Sequence, residues 1–591
     1  MRFWRMIANN YFLDDPDLQT FFNHLIDWDS IVQAVEGNDF ADHRRFLETG
    51  NSRFEMAPAS VEEAVGLYRS SLESLGEFCG KELSQVSQAM DRAALQFQNG
   101  RVVFPSETIS VYEKFRETGL MPYSISRHAG GLGLPATVGA FIVMLLARAD
   151  VSFCMTITLL NLAQIVARYG TEEQIEQFAA KAAAGETLFA MALTEPDYGS
   201  DLNSVRMTAI RSEDGSYRLN GTKRFISQGC GLGPYPCTLL TLARTGKAGG
   251  GARGLSVFLV KSEDVTIAGI ESKMGIHASP TCEVVYEDVP GQILGEEGLG
   301  LTRYTAGMTN FMRLGSAAGG PGGGAGAYFE CEKYASSRIQ FGKPIAQIPA
   351  VAEMIQKIRR EVNAMRLLAF ETARIVDLFQ HHQIRLEKEG VEDRDIRRDE
   401  TIKTWSTLAS ILTPVAKYYC SEEGHRCGNL AVQIHGGAGY TEDYDVSRMF
   451  RDSRINTIYE GTSQIHVRIA TGAISAGMGE GANFRKYLED LYSQVRAPST
   501  FLIEQFRLLQ ESVDCFRMIE SEDSRERLAE NLMIVAARFL CTVLYEKALG
   551  LLANHPDLER WRADCRSYGL ESAATASGCF YRLKNSQFAA A

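Results

Sequence analysis

The spacing of apolar residues changes period twice along this chain, and those changes constrain the fold more than any other feature. From about residue 57 to 185 apolar residues recur at helical intervals, as in Val61, Ala64, Val65, Leu67 and Tyr68. From about 186 to 292 come short runs rich in β-formers between Gly, Asp and Ser turns: 187–193, 217–226, 238–243, 255–260 and 282–286. Helical spacing returns from about 300 to 475, broken by the charged stretch 385–400. A last amphipathic block, about 485 to 591, carries Leu528, Leu532, Ile534, Val535, Phe539 and Leu540. The pattern predicts a mainly α protein with an inserted β-domain, two helical layers flanking a small barrel, and an appended helical domain.

At 591 residues the chain exceeds what one core usually supports. The expected segments are a helical extension over 1–56, with Leu18, Phe21, Phe22, Leu25 and Ile26 on one face, an α domain over 57–185, a β domain over 186–295, an α-bundle over 296–480, and a helical block over 481–591. Within the β domain, 245–254 reads as a flexible loop and Asn220-Gly221 as a hairpin turn. The charged stretch 385–400 reads as a solvated loop or helix face.

Composition removes several function classes. A net charge of −12 argues against a protein that binds nucleic acid by neutralising phosphates. Twelve cysteines are scattered with no C-x-x-C pair and no Cys/His cluster at metal-ligand spacing, so no metal site is expected and the thiols read as reduced, buried residues. The opening run Met1-Arg2-Phe3-Trp4-Arg5-Met6 lacks a signal-peptide core. The longest apolar run, 136–147, falls short of the roughly 20 residues a membrane span needs and reads as a buried helix. These features predict a cytoplasmic protein with no transmembrane segment. The run Gly319-Gly320-Pro321-Gly322-Gly323-Gly324 has no following Gly-Lys-Ser/Thr and no clear strand before it, so close helix packing or a flexible helix entry is expected, not a phosphate loop.

Four separated segments carry chemistry. Leaving a strand, Met191-Ala192-Leu193-Thr194-Glu195-Pro196-Asp197-Tyr198-Gly199-Ser200-Asp201 offers the Thr194 and Ser200 hydroxyls, and Gly199 permits close backbone approach to a ligand. Phe225-Ile226-Ser227 places a ring and a hydroxyl on one strand face, which suits a flat heterocycle. At a helix end, Arg338-Ile339-Gln340-Phe341-Gly342-Lys343-Pro344 supplies a forked donor for phosphate and an apolar plate for a ring. The fourth runs from Gln433-Ile434-His435-Gly436-Gly437 through Arg451-Asp452 to Ile458-Tyr459-Glu460-Gly461-Thr462-Ser463-Gln464-Ile465, where Glu460 is a candidate base beside polar groups. His435 and His277 read as structural, and Met308, Met312 and Met354 as core first.

Together, with Lys273–Cys282 and Leu294–Gly300, these segments resemble the acyl-CoA dehydrogenase family of flavoproteins over about 110–475. Length, the first 50 residues and the final block resemble the long bacterial branch, which includes enzymes acting on 3-methylthiopropionyl-CoA; the acyl group itself is not read from that likeness. The resemblance implies an N-terminal α domain, a middle β-barrel and a C-terminal four-helix bundle, with FAD as cofactor and an acyl-CoA as substrate. It implies that Glu460 takes the α-proton while the β-hydrogen leaves as hydride to flavin N5, giving a trans-2-enoyl-CoA, and that electrons pass to an electron-transfer flavoprotein. Such a base needs a pKa raised toward neutral, which burial against an acyl chain and flavin would supply. The thioester oxygen would be met by the backbone N–H of Glu460 and a flavin ribityl hydroxyl.

By the same matching, Met191, Leu193, Thr194, Gly199, Ser200, Phe225, Ile226 and Ser227 line the flavin of their own subunit. Arg338, Gln340, Phe341, Gln433, Gly436 and Gly437 reach the FAD of a neighbour in a homodimer or dimer of dimers, and Thr462 and Gln464 also match cofactor contacts. Ser200, Asn310, Arg313, Tyr459 and Gly461 fall at substrate positions. Departures are Phe225 where many members carry Trp, Asp197-Tyr198 in place of small residues, Ile348-Pro349 near the adenine, and Gly472 in place of a substrate-binding Arg. Two alternatives stand beside this reading. An acyl-CoA oxidase would pass electrons to O₂, and a non-catalytic relative would bind nucleic acid through the last block, which holds Arg517, Arg525, Arg527, Arg538, Arg560, Arg562 and Arg566 among many acids.

Overall fold

The computed structural model describes residues 9–213, 215–246 and 250–586. The opening run Met1 to Met6, part of the expected 245–254 loop (247–249) and the last residues of the appended block (587–591) lie outside the described residues. The chain divides into two compact units, Met1–Asp14 with Glu36–Gly315, and Asp15–Val35 with Ser316–Ala591.

The first unit joins helices to a barrel. Its central helices, Ala136–Ala149 and Val151–Leu160, are buried on nearly every side, which is why their sequence is apolar without a polar stripe. Asp150 separates them, and its carboxylate accepts the Phe153 N–H at 2.8 Å as the cap of the second. The barrel closes as a ring: Cys237–Arg244 pairs with Leu255–Lys261, that strand with Thr281–Ile293, then Tyr217–Ser227 and Thr208–Arg211, which returns to Cys237–Arg244. Leu188–Ala192 lies parallel to Cys237–Arg244, and Thr266–Ile270 lies on Thr281–Ile293. Inward residues such as Leu219, Leu239, Val257, Cys282 and Val284 are fully buried.

All five β-runs read from the sequence are strands; two further strands of the barrel sheet, Thr208–Arg211 and Thr266–Ile270, were not legible, nor was the small hairpin Gln96–Gln98 with Arg101–Val103 inside the expected helical stretch. Asn220-Gly221 is not a hairpin turn. Tyr217–Ser227 runs straight through it, with a bulge between Leu219 and Gly221 against the Thr281–Ile293 strand. Gly221 is there for room: a Cβ would lie 2.9 Å from the Met207 side chain. The turn into this strand comes earlier, where Ser212 N–H donates to the Ser216 carbonyl at 2.8 Å. Within the expected loop, Gly251–Gly254 forms a helical turn and Thr245 N–H donates to the Gly254 carbonyl at 3.0 Å.

In the second unit, Glu400–His435 packs against both Pro349–Lys388 and Ser463–Gly477, and the later part of the Ala306–Ser337 helix lies against Val362, Met365, Cys420 and Cys427. The Gly/Pro run lies in the middle of that helix, so it serves close packing and not helix entry. A Cβ on Gly320 would sit 2.1 Å from the Cys420 carbonyl oxygen, and one on Gly424 would sit 2.9 Å from the Gly320 Cα. The charged stretch is split among the end of Pro349–Lys388, the short helix Asp393–Ile396 and the start of Glu400–His435, with most side chains solvated.

The appended helices Asn483–Ser493, Thr500–Met518, Glu522–Leu551 and Leu558–Lys584 share this core. Arg538 is buried, donating to Glu361 at 2.9 Å, Glu423 at 2.7 Å and Tyr419 at 3.2 Å, and Tyr419 meets the Tyr568 hydroxyl at 2.6 Å. Arg560 pairs with Asp17. Burial alone would raise the Asp17 pKa, but Arg560, Asn363 and Arg366 hold it below the ordinary value. The 15–35 segment is therefore clamped by ion pairs, and Phe21 packs against Phe370 and Trp561. Two of the seven tail arginines thus do internal structural work. By length and composition Val151–Tyr169 and Glu522–Leu551 could cross a bilayer, but 78% and 89% of their apolar windows are buried in the protein.

Candidate active site

In the first unit the two barrel segments meet through backbone bonds. Arg224 N–H donates to the Thr194 carbonyl at 2.9 Å, so the turn after Leu188–Ala192 is stitched to the end of Tyr217–Ser227. Behind this junction lies Lys223, fully buried, whose Nζ donates to the Leu193 carbonyl at 2.9 Å and to Glu195 Oε1 at 3.0 Å. The Glu195 carboxylate also accepts the Arg206 N–H at 2.7 Å and the Met207 N–H at 2.9 Å. Burial pushes the Lys223 ammonium down to about 8, against the opposing pull of Glu195.

That framework presents Phe225 at φ +61°, a left-handed conformation unusual outside glycine, with the ring 55% exposed. Ile226 and Leu193 are buried; Met191, Thr194 and Ser227 are half-buried; Gly199 and Ser200 are exposed. The alternation of Phe225 and Ser227 outward with Ile226 inward holds, although a register shift between Lys223 and Ile226 interrupts the ladder. An uncovered ring, nearby hydroxyls and an open glycine backbone fit a flavin. Asn310 and Arg313 also belong to this unit, one turn apart on a helix, with Arg313 Nη1 donating to Asn310 Oδ1 at 3.4 Å. His277 is structural, with Nδ1 2.9 Å from Asp91.

In the second unit the Arg338 and Gln433 segments are neighbours. Tyr334, a turn before Arg338, stacks on His435 with centroids 4.2 Å apart and donates to the His435 carbonyl at 3.3 Å. Burial lowers the His435 pKa, and its Nδ1 lies 2.9 Å from the Ala431 carbonyl, consistent with a structural imidazole. Ile339–Gln340 and Lys343–Pro344 form a tight hairpin with Phe341 at φ +53° and Gly342 at φ +76°. Phe341 is 93% exposed. Arg338, Gln340, Gln433, Gly436 and Gly437 are exposed as well.

The Tyr459-Glu460-Gly461 turn enters the Ser463–Gly477 helix. Glu460 has φ +56° and Gly461 φ +97°. A left-handed glutamate costs on the order of 1–3 kcal/mol and persists only when its surroundings over-determine it. Here they do. Lys417 Nζ donates to the Gly461 carbonyl at 2.9 Å, and His466 Nε2 lies 3.2 Å from the Glu460 carbonyl. Lys417 and His466 are both fully buried. Ser463 Oγ donates to Glu422 at 2.6 Å, fixing the helix start. Thr462 is half-buried at the cap position and Gln464 exposed on the first turn. The sequence reading missed Lys417, His466 and the Lys223–Glu195 pair; the available signal was a lone Lys inside the apolar run from Leu412 to Cys420.

The chain matches the models of three acyl-CoA dehydrogenase domains: the N-terminal domain over residues 69–186, the middle domain over 190–289, and the C-terminal domain over 298–392 and 395–474. It is 34% identical to 3-methylmercaptopropionyl-CoA dehydrogenase of Ruegeria pomeroyi over 68% of this chain and 70% of that one. The chain belongs to the acyl-CoA dehydrogenase family.

The family match begins about 40 residues before the resemblance read from motifs. Another relative, the caffeyl-CoA reductase–Etf complex subunit CarC of Acetobacterium woodii, is 36% identical over 52% of this chain and 73% of its own. Beyond the matched domains, the fold is similar to an acyl-CoA dehydrogenase of Bacillus anthracis complexed with FAD, with TM-score 0.71 and 22% identity over 88% of each chain. As a family member the protein is a flavin-dependent oxidoreductase acting on acyl-CoA, with FAD as its cofactor.

Proposed function

We propose that the protein catalyses α,β-dehydrogenation of an acyl-CoA thioester to a trans-2-enoyl-CoA, with Glu460 as the base that removes the α-proton. Bound FAD supplies the hydride acceptor. The observation that carries this reading is the Glu460 turn: a carboxylate on a strained left-handed residue, with the carbonyls of Glu460 and Gly461 both engaged by buried side chains. Holding those carbonyls back fixes the chain from which the carboxylate projects, and the family resemblance assigns the Glu460 N–H to the thioester oxygen. One such donor is worth about 2.7–4 kcal/mol of transition-state stabilisation.

In the same reading, Met191, Leu193, Thr194, Gly199, Ser200, Phe225, Ile226, Ser227, Thr462 and Gln464 hold the flavin, and Ser200, Asn310, Arg313, Tyr459 and Gly461 contact substrate. Arg338, Gln340, Phe341, Gln433, Gly436 and Gly437 reach the FAD of a second copy in a homodimer; their exposure, 93% at Phe341, supports an open face of that kind. Electrons go on to an electron-transfer flavoprotein, a reading supported by the likeness to a subunit of a reductase–Etf complex. All twelve cysteines are free and ten are buried, which supports residence in a reducing cytoplasm. The test is Glu460→Gln: FAD content and folding are retained and turnover is nearly lost. Normal turnover in that variant refutes the assignment.

A further inference from the structure

We infer that Lys417 is a positioning residue for Glu460, clamping the chain on both sides of the carboxylate. The inference rests on the reading of Glu460 as the base. Lys417 lies in the Glu400–His435 helix, in an apolar stretch containing Leu412, Val415, Ala416 and Cys420, all buried. It is itself fully buried, an expensive place for an ammonium unless its donors are used. Its Nζ donates to the Gly461 carbonyl at 2.9 Å, just after Glu460, and lies 5.9 Å from the centroid of the Tyr459 ring, just before it. His466 takes the carbonyl of Glu460 itself at 3.2 Å. Three consecutive residues are thereby fixed from the protein side, at a place where the backbone is left-handed at a glutamate and could relax.

The side chain of Lys417 does no chemistry in this account; it sets where the carboxylate points. Misplacing a reacting group by about 1 Å can cost roughly a hundredfold in rate. Lys417→Met keeps the length and apolar packing of the side chain and deletes its donor. In the FAD-loaded enzyme, kcat is expected to fall about tenfold to a hundredfold. The KM for acyl-CoA, FAD stoichiometry and visible flavin spectrum are expected to stay near those of the parent. The isotope effect on kcat with α-deuterated acyl-CoA should rise, because proton removal becomes more rate-limiting; a merely structural lysine would not move it. Lys417→Arg, which restores a cationic donor, should recover part of the rate. Should the methionine variant not accumulate, Lys417→Gln retains a donor to the carbonyl and is read by the same isotope effect. Parental kcat and isotope effect in Lys417→Met, with Glu460→Gln inactive, overturn this inference alone. An active Glu460→Gln overturns the reading beneath it.

Discussion

At two turns that hold a non-glycine residue in the left-handed region, a fully buried lysine reaches a main-chain carbonyl at 2.9 Å. At Phe225 it is Lys223 on the Leu193 carbonyl; at Glu460 it is Lys417 on the Gly461 carbonyl. What accompanies the lysine differs. In the barrel the Glu195 carboxylate joins Lys223 and takes the N–H groups of Arg206 and Met207, so one charge pair organises the chain from 193 to 207. At Glu460 the second hold is an imidazole on the carbonyl of the strained residue itself. The barrel device supports a large loop, so its loss should appear as lost stability. The other supports one side chain, so its loss should appear as lost catalysis.

The largest effect belongs to the carboxylate that the second turn presents. Glu460→Gln should lower kcat by about 10²–10⁴-fold or more, with a denaturation midpoint close to that of the parent. Next comes the barrel pair. Glu195→Gln leaves the Lys223 ammonium buried with weaker partners and should cost about 3–5 kcal/mol in chemical denaturation. A loss under about 1 kcal/mol would erase the distinction between the turns.

The same pair has a pH signature. Lys223 sits at about 8, below its ordinary 10.5, chiefly because of burial. Between those values the unfolded chain holds a proton that the folded protein has released, so stability rises with pH across that window. The penalty relieved is about 3 kcal/mol in all. Denaturation midpoints of the parent and Lys223→Met at pH 7.5 and pH 10 isolate it: the parent should gain on the variant as pH rises, and a constant gap would contradict the shift.

The smallest effect concerns another left-handed position, Phe341, which is solvated and has no buried lysine behind it among the described residues. Phe341→Gly should change stability by less than about 1 kcal/mol, because glycine adopts the conformation freely. FAD retention on dilution should fall if the ring covers a cofactor. Unchanged retention would leave Phe341 without the role proposed for it.

The α–β–α order was legible because periodicity reports which faces are buried, and every β-run read from it became a strand. Thr208–Arg211 and Thr266–Ile270 escaped because short strands with mostly exposed or half-buried residues carry little alternation of burial. Asn220-Gly221 misled because a local turn signal was overridden by the approach of Met207, where only a glycine fits. The Gly319–Gly324 run kept two readings open until the opposing backbone at Cys420 was known. In the site, Glu460, Phe225 and Phe341 stood out by residue type and motif. Lys417, His466 and Lys223 did not, since a buried lysine is told from a surface one only by what surrounds it, and those partners come from distant parts of the chain.

The central claim is that Glu460 removes the α-proton. It is tested most directly by mixing FAD-loaded enzyme anaerobically with a panel of straight, branched, aromatic, dicarboxylic and thioether acyl-CoAs and following the visible flavin band. The parent should bleach with at least one of them, and Glu460→Gln, carrying the same FAD, should bleach at less than about one-hundredth of that rate. Bleaching of the glutamine variant at the parental rate would contradict the account.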